Sequence, residues 1–147
     1  MILLTHLLLG ALIGEKINLF FVAIILALLS HYFIDIFPHS EYSIENIKNN
    51  QWGKSLPDFL KVILDFLVGI LIISIFTSNG LKTYFCAFVA IIPDGISLLF
   101  KIYPSKLLIF HDDFHDKKIH FLKNKKIPQF WRFLTQAIII VAIILLF

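Results

Sequence analysis

Residues 20–39 read F-F-V-A-I-I-L-A-L-L-S-H-Y-F-I-D-I-F-P-H. They belong to an apolar run from Ile17 to Phe37, close to the roughly 20 residues that a membrane-crossing helix needs. On a helix, His31, Asp35 and His39 follow at four-residue spacing and stack along one face. Nothing about lipid solubility asks for them there. A charged group within a membrane segment costs a few kcal/mol on insertion scales, which makes such residues functional candidates by default.

The rest of the chain has the same character. Of 147 residues, 59% are hydrophobic and only 16% charged, with a mean hydropathy of +0.87. Soluble domains are about 45–50% apolar and about 25% charged. The expectation is therefore an integral membrane protein with one helical domain over 1–147. The formal charge of +3 is small, and the aromatics sit in apolar runs, so a nucleic-acid partner is not expected. Cys86 is the only cysteine, which rules out an intrachain disulfide. Residues 1–14 lack a basic leader and a clear cleavage site, and read as a retained helix.

Apolar stretches fall at about 2–13, 17–37, 59–76, 81–100 and 127–147. Four are long enough to span. The first would reach only about 18 Å at 1.5 Å per residue, against a hydrocarbon core of about 30 Å. It is expected either to tilt in a thinned bilayer or to form a half-buried hairpin with the second helix around Gly14-Glu15-Lys16. Sheet structure is not expected, because open edges find no partners in lipid and no barrel alternation appears. The predicted fold is an all-α integral membrane bundle of four to five helices.

Basic residues set the expected orientation. Lys101, Lys106, Lys117, Lys118, Lys123, Lys125, Lys126 and Arg132 crowd in or beside the last polar connection. The positive-inside rule places it in the cytoplasm, within a multi-pass topology in a cell membrane. Counting back through five spans puts the 38–58 loop on the same side. His6, His31, Asp35, His39, Asp65, Asp94, His111 and His115 then all fall in one slab near the cytoplasmic face.

Several of these residues have two readings. His31, Asp35 and His39 suit a divalent first-row metal, or Asp35 simply holds His31 by a hydrogen bond. Gly10, four residues after His6, lets another helix approach closely, and His6 is either a ligand or an interfacial packing residue. Asp65 follows Lys61 by four residues, the spacing of an intrahelical ion pair; Lys61 can instead snorkel to the interface, leaving Asp65 as a ligand or an orienter of a histidine. Asp94 lies in I-I-P-D-G, where Pro93 and Gly95 loosen the helix, and is a ligand, a cap of the following turn, or both. His111 and His115 are spaced to grip one ion. His111, Asp112 and His115 are candidates for ligand or general base, whereas Asp113, Asp116 and His120 read as a solvated face. No H-E-x-x-H occurs, so the zincin protease reading fails.

T-H-x-x-x-G at Thr5–Gly10, S-H-x-x-x-D-x-x-P-H at Ser30–His39, a mid-helix Asp65, P-D-G at Pro93–Gly95 and H-x-x-x-H at His111–His115 form a familiar pattern. Together they resemble a family of small multi-spanning inner-membrane proteins known as membrane-bound metal-dependent hydrolases. That family is distantly similar to the zinc-dependent phospholipase C and P1 nuclease class. The resemblance implies a site drawn from His6, His31, Asp35, His39, Asp65, Asp94, His111 and His115. The long polar insertions of the soluble phospholipases are missing.

The function expected is metal-dependent hydrolysis of an ester or phosphoester, with a membrane lipid as candidate substrate. The cofactor expected is a divalent ion, zinc or else manganese, with Asp65 or Asp112 as general base. The competing readings are a metal-ion binding or transport protein, a haem protein, and a non-catalytic assembly protein. A transport path would place polar residues at several depths, and Asp35 beside the histidines argues against haem.

Overall fold

A computed structural model describes residues 2–49, 51–103, 105–115, 119 and 127–147. Among these, seven α-helices form: α1 (Leu3–Lys16), α2 (Phe20–Asp35), α3 (Glu45–Lys48), α4 (Leu56–Phe76), α5 (Leu81–Ile102), α6 (Lys106–Phe114) and α7 (Gln129–Leu146), with a 3-10 turn at Trp52–Lys54. No strand occurs among the described residues. The all-helical expectation holds.

Local sequence explains the boundaries. Pro57 lies in the first turn of α4, where its missing N–H costs nothing. Ser105 caps α6 by accepting from the Leu108 N–H at 3.4 Å. Pro38 allows no continuation of α2, which tightens at its end as Phe37 N–H donates to the Ile34 carbonyl at 3.2 Å. By contrast, α5 runs unbroken through Pro93. Proline there removes one rung of the ladder, but packing against the neighbouring helices keeps the helix continuous.

Three helices are long and apolar enough to cross a membrane: Leu56–Phe76, Leu81–Phe100 and Gln129–Leu146. The expected span at 17–37 contracts to the 16 residues of α2, because Ile17–Leu19 form an extended connection. The shortest apolar run has the most buried position. The 14-residue α1 packs against α2, α4, α5 and α7. One core cluster joins its Leu7, Leu8, Ala11 and Leu12 to Ile73, Ala87 and Ile143. A second joins Ala23 and Ala27 of α2 to Cys86, Val89 and Ala90 of α5.

Small residues allow this approach. A Cβ on Gly10 would lie 2.6 Å from the Cys86 carbonyl oxygen and 2.7 Å from the Ala90 Cβ, and one on Gly14 would lie 2.9 Å from the Thr83 Cα. The expectation for Gly10 is met, with α5 as the approaching helix. Facing outward instead are large apolar side chains, among them Phe21 (78% exposed), Leu81 (86%) and Leu145 (80%).

Candidate metal centre

The C-terminal end of α2 and the N-terminal end of α1 meet α5 just beyond Pro93. His31 and Asp35 project from α2, Asp94 from α5, and His115 from the end of α6. One ligand atom from each of these four lies within 4.8 Å of all the others. His31, Asp35 and His115 are buried, and the Asp94 side chain is 25% exposed. This group could hold a metal ion.

The distances fit a small divalent cation. His31 Nε2 and His115 Nε2 lie 3.2 and 3.3 Å from Asp35 Oδ2, and 3.0 Å from each other. His31 Nε2 lies 3.8 Å from Asp94 Oδ1. Four ligands placed tetrahedrally about 2.0–2.1 Å from zinc sit about 3.3–3.4 Å apart. Only the Asp94 edge is open.

The proton on His31 gives a second argument. Its Nδ1–H donates to the Ala90 carbonyl at 2.8 Å, the backbone contact that commonly orients a metal-binding histidine. In the neutral ring, Nε2 then carries a lone pair, aimed at a carboxylate oxygen. That lone pair is available to a metal ion, or to an N–H of His115, whose Nε2 lies 3.0 Å away. His39 repeats the arrangement: Nδ1–H donates to the Phe37 carbonyl at 2.7 Å, while Nε2 faces Asp35 Oδ1 at 4.0 Å and Glu41 Oε1 at 3.5 Å.

His6, fully buried on α1, stacks on His31 with ring centroids 4.0 Å apart. Its Nε2 lies 3.4 Å from Asp35 Oδ1 and 3.8 Å from Asp94 Oδ2. Its ring nitrogens make no well-aligned hydrogen bond among the described residues, and the Asp35 carboxylate is the nearest polar neighbour of Nε2. His111 lies at the edge, its ring 5.7 Å from that of His115 and its Nε2 3.2 Å from the Tyr32 hydroxyl. Burial, and next the neighbouring His115, hold the His111 pKa below its ordinary value. Asp112 sits beside His111 on α6 and outside the four-residue group.

Asp65 lies apart from these contacts. Its Oδ2 accepts the Leu4 N–H at 3.0 Å, satisfying a donor in the first turn of α1, which has no side-chain cap of its own. Lys61 reaches the Ser43 carbonyl at 2.9 Å and Asp58 at 3.4 Å. Asp65 therefore does find a partner other than Lys61, and that partner is backbone. Asp116, His120, Lys117, Lys118, Lys123, Lys125 and Lys126 lie outside the described residues.

Sequence reading missed Tyr32, Glu41, Tyr42 and the Ala90 carbonyl. Burial, and then the charges of Asp65 and Asp94, raise the Tyr42 pKa well above its usual value, so this hydroxyl stays protonated near both carboxylates. Glu41 was within reach of sequence reasoning, two residues beyond His39. A tyrosine in an apolar run gives no such signal. Compared with family models, curated proteins and solved structures, the chain matches none.

Proposed function

We propose that this chain is a multi-pass inner-membrane protein of four to five membrane helices whose buried His/Asp centre binds a divalent ion and hydrolyses an ester or phosphoester. The proposal keeps the likeness to membrane-bound metal-dependent hydrolases noted from the motifs. The observation that carries it is the convergence of His31, Asp35, Asp94 and His115, with His31 held in its metal-binding tautomer by Ala90. The donor set, nitrogen plus carboxylate without thiolate, suits zinc or manganese.

Bound there, a divalent ion supplies Lewis acidity and lowers the pKa of a water to near 7. The protein's part is to orient and to move protons. Ala90 fixes the His31 ring, and Tyr32 holds His111 beside His115. With Asp65 engaged by the Leu4 N–H, Asp112 is the proton acceptor in this reading. Asp94, 25% exposed, is the ligand most open to an incoming substrate. A lipid substrate is compatible with an apolar cleft of 660 Å³ between α1 and α2, lined by Leu12, Ile13, Lys16, Ile17, Leu26 and Leu29 among others and by none of the four metal-centre residues.

Purified protein assayed on phospholipids and generic phosphoesters with added zinc or manganese tests the reading. Metal-stimulated hydrolysis that disappears in His31→Ala is the expected result. Metal retained without turnover on any substrate favours a binding, transport or assembly role instead.

A further inference from the structure

We infer that the cleft between α1 and α2 binds one anionic phospholipid, held as a resident lipid and not as a substrate. Its volume of 660 Å³ lies within the roughly 300–1,000 Å³ of small-molecule sites. Leu12 and Ile13 of α1 line it, with Leu26, Leu29 and Phe33 of α2. Two polar side chains, Lys16 and Ser30, also border it. Ser30 gives its hydroxyl proton to the Ala27 carbonyl at 2.7 Å, which leaves Lys16. A bound water needs two to four polar partners, and these walls do not offer them. In a chain with three helices long and apolar enough to cross a membrane, the occupant that fits is an acyl chain.

Length and charge set its orientation. The His6 and His31 rings stack at one end of the α1–α2 hairpin, centroids 4.0 Å apart. Lys16 follows His6 by ten residues, about 15 Å along α1. That is half of a hydrocarbon core of about 30 Å, or one leaflet. An acyl chain running from Lys16 toward Phe33 therefore crosses one leaflet and leaves its headgroup at Lys16. Two ammonium groups meet the headgroup there. Lys16 is exposed and uses one of its three donors on the Phe147 carbonyl, at 3.4 Å. Lys82 donates at 2.8 Å to the carbonyl of Ile17, a residue of the cleft. The neighbouring carboxylate, Glu15, accepts from the Thr83 hydroxyl at 2.9 Å. A phosphate at this mouth answers the two positive charges and stands about 15 Å from the stacked histidines. The centre does not reach it, so this lipid is bound independently of the reaction proposed above.

Native mass spectrometry of the full chain in detergent, titrated with phosphatidylglycerol or with phosphatidylcholine of the same acyl chains, tests the site. Wild type is expected to take one phosphatidylglycerol and to prefer it to phosphatidylcholine by about fivefold or more, the effect of one basic residue near an anionic surface. Lys16→Gln is expected to lose about fivefold in affinity for phosphatidylglycerol and to bind phosphatidylcholine unchanged. Leu29→Trp, which fills the cleft from its open side, is expected to weaken both lipids. Lys16 is exposed and Leu29 is 56% exposed, so neither variant disturbs the core. The same phosphatidylglycerol affinity is expected in chelator and in added zinc. Equal affinity of wild type for the two lipids, or a Lys16→Gln variant that binds as wild type does, overturns the site. Affinity that requires zinc places the headgroup at the metal centre and overturns the resident lipid in favour of a substrate.

Discussion

Asp35 is the residue on which the site converges, since its carboxylate faces His6, His31, His39 and His115. Asp35→Ala is expected to abolish metal retention, because it removes the carboxylate that His6, His31, His39 and His115 all face and leaves Asp94 alone to offset a cation in a dry interior. Metal analysis after desalting checks this, and a full complement in the variant would remove Asp35 from the centre. The two carboxylates expected as proton acceptors separate in their consequences. Asp65→Ala removes the acceptor for the Leu4 N–H and is expected to cost about 1 kcal/mol of stability, the usual effect of losing a helix cap, with metal content intact. Asp112→Asn is expected to lower turnover by about 10²–10⁴ with metal content unchanged, the usual loss of a general base. Thermal unfolding in detergent separates the first from the second. A turnover loss in Asp65→Ala matching that of Asp112→Asn would return the base role to Asp65.

At the scale of elements, the site depends on how closely α1 and α5 approach. Gly10 faces the Cys86 carbonyl and the Ala90 Cβ, and the Ala90 carbonyl is what holds His31. Gly10→Val is expected to cost about 1–3 kcal/mol, as overpacking does, and to weaken metal binding through the displaced Ala90 carbonyl. Unfolding midpoints and zinc affinity measured on the same preparation test both parts. A stable variant of wild-type affinity would show that the approach does not position His31. The four-residue spacings of His31, Asp35 and His39 were legible because helical geometry maps sequence directly onto a face. The partners of that face were not. That His6 meets Asp94, or that a backbone carbonyl orients His31, depends on tertiary packing, which periodicity does not encode. The central position of α1 was half-legible: its length argued against an ordinary span, and Gly10 pointed to a close neighbour.

For the whole molecule, the polar residues gather where α1 begins and where α2 ends. His6, His31, Asp35, Asp94 and His115 are brought together there. Which side of a membrane they face is a separate question. In a Cys86→Ala background, an impermeant maleimide applied to intact cells is expected to label Ser78→Cys and to spare Gln51→Cys. The reverse pattern would invert the proposed orientation. The claim on which the account depends is the ligand set itself. Zinc-edge X-ray absorption on the loaded full chain reads it most directly. The account predicts a shell of nitrogen and oxygen only, at about 2.0–2.1 Å, with the outer scattering of imidazole rings. Zinc lost on desalting, a shell without imidazole, or sulfur scattering from Cys86 would contradict it.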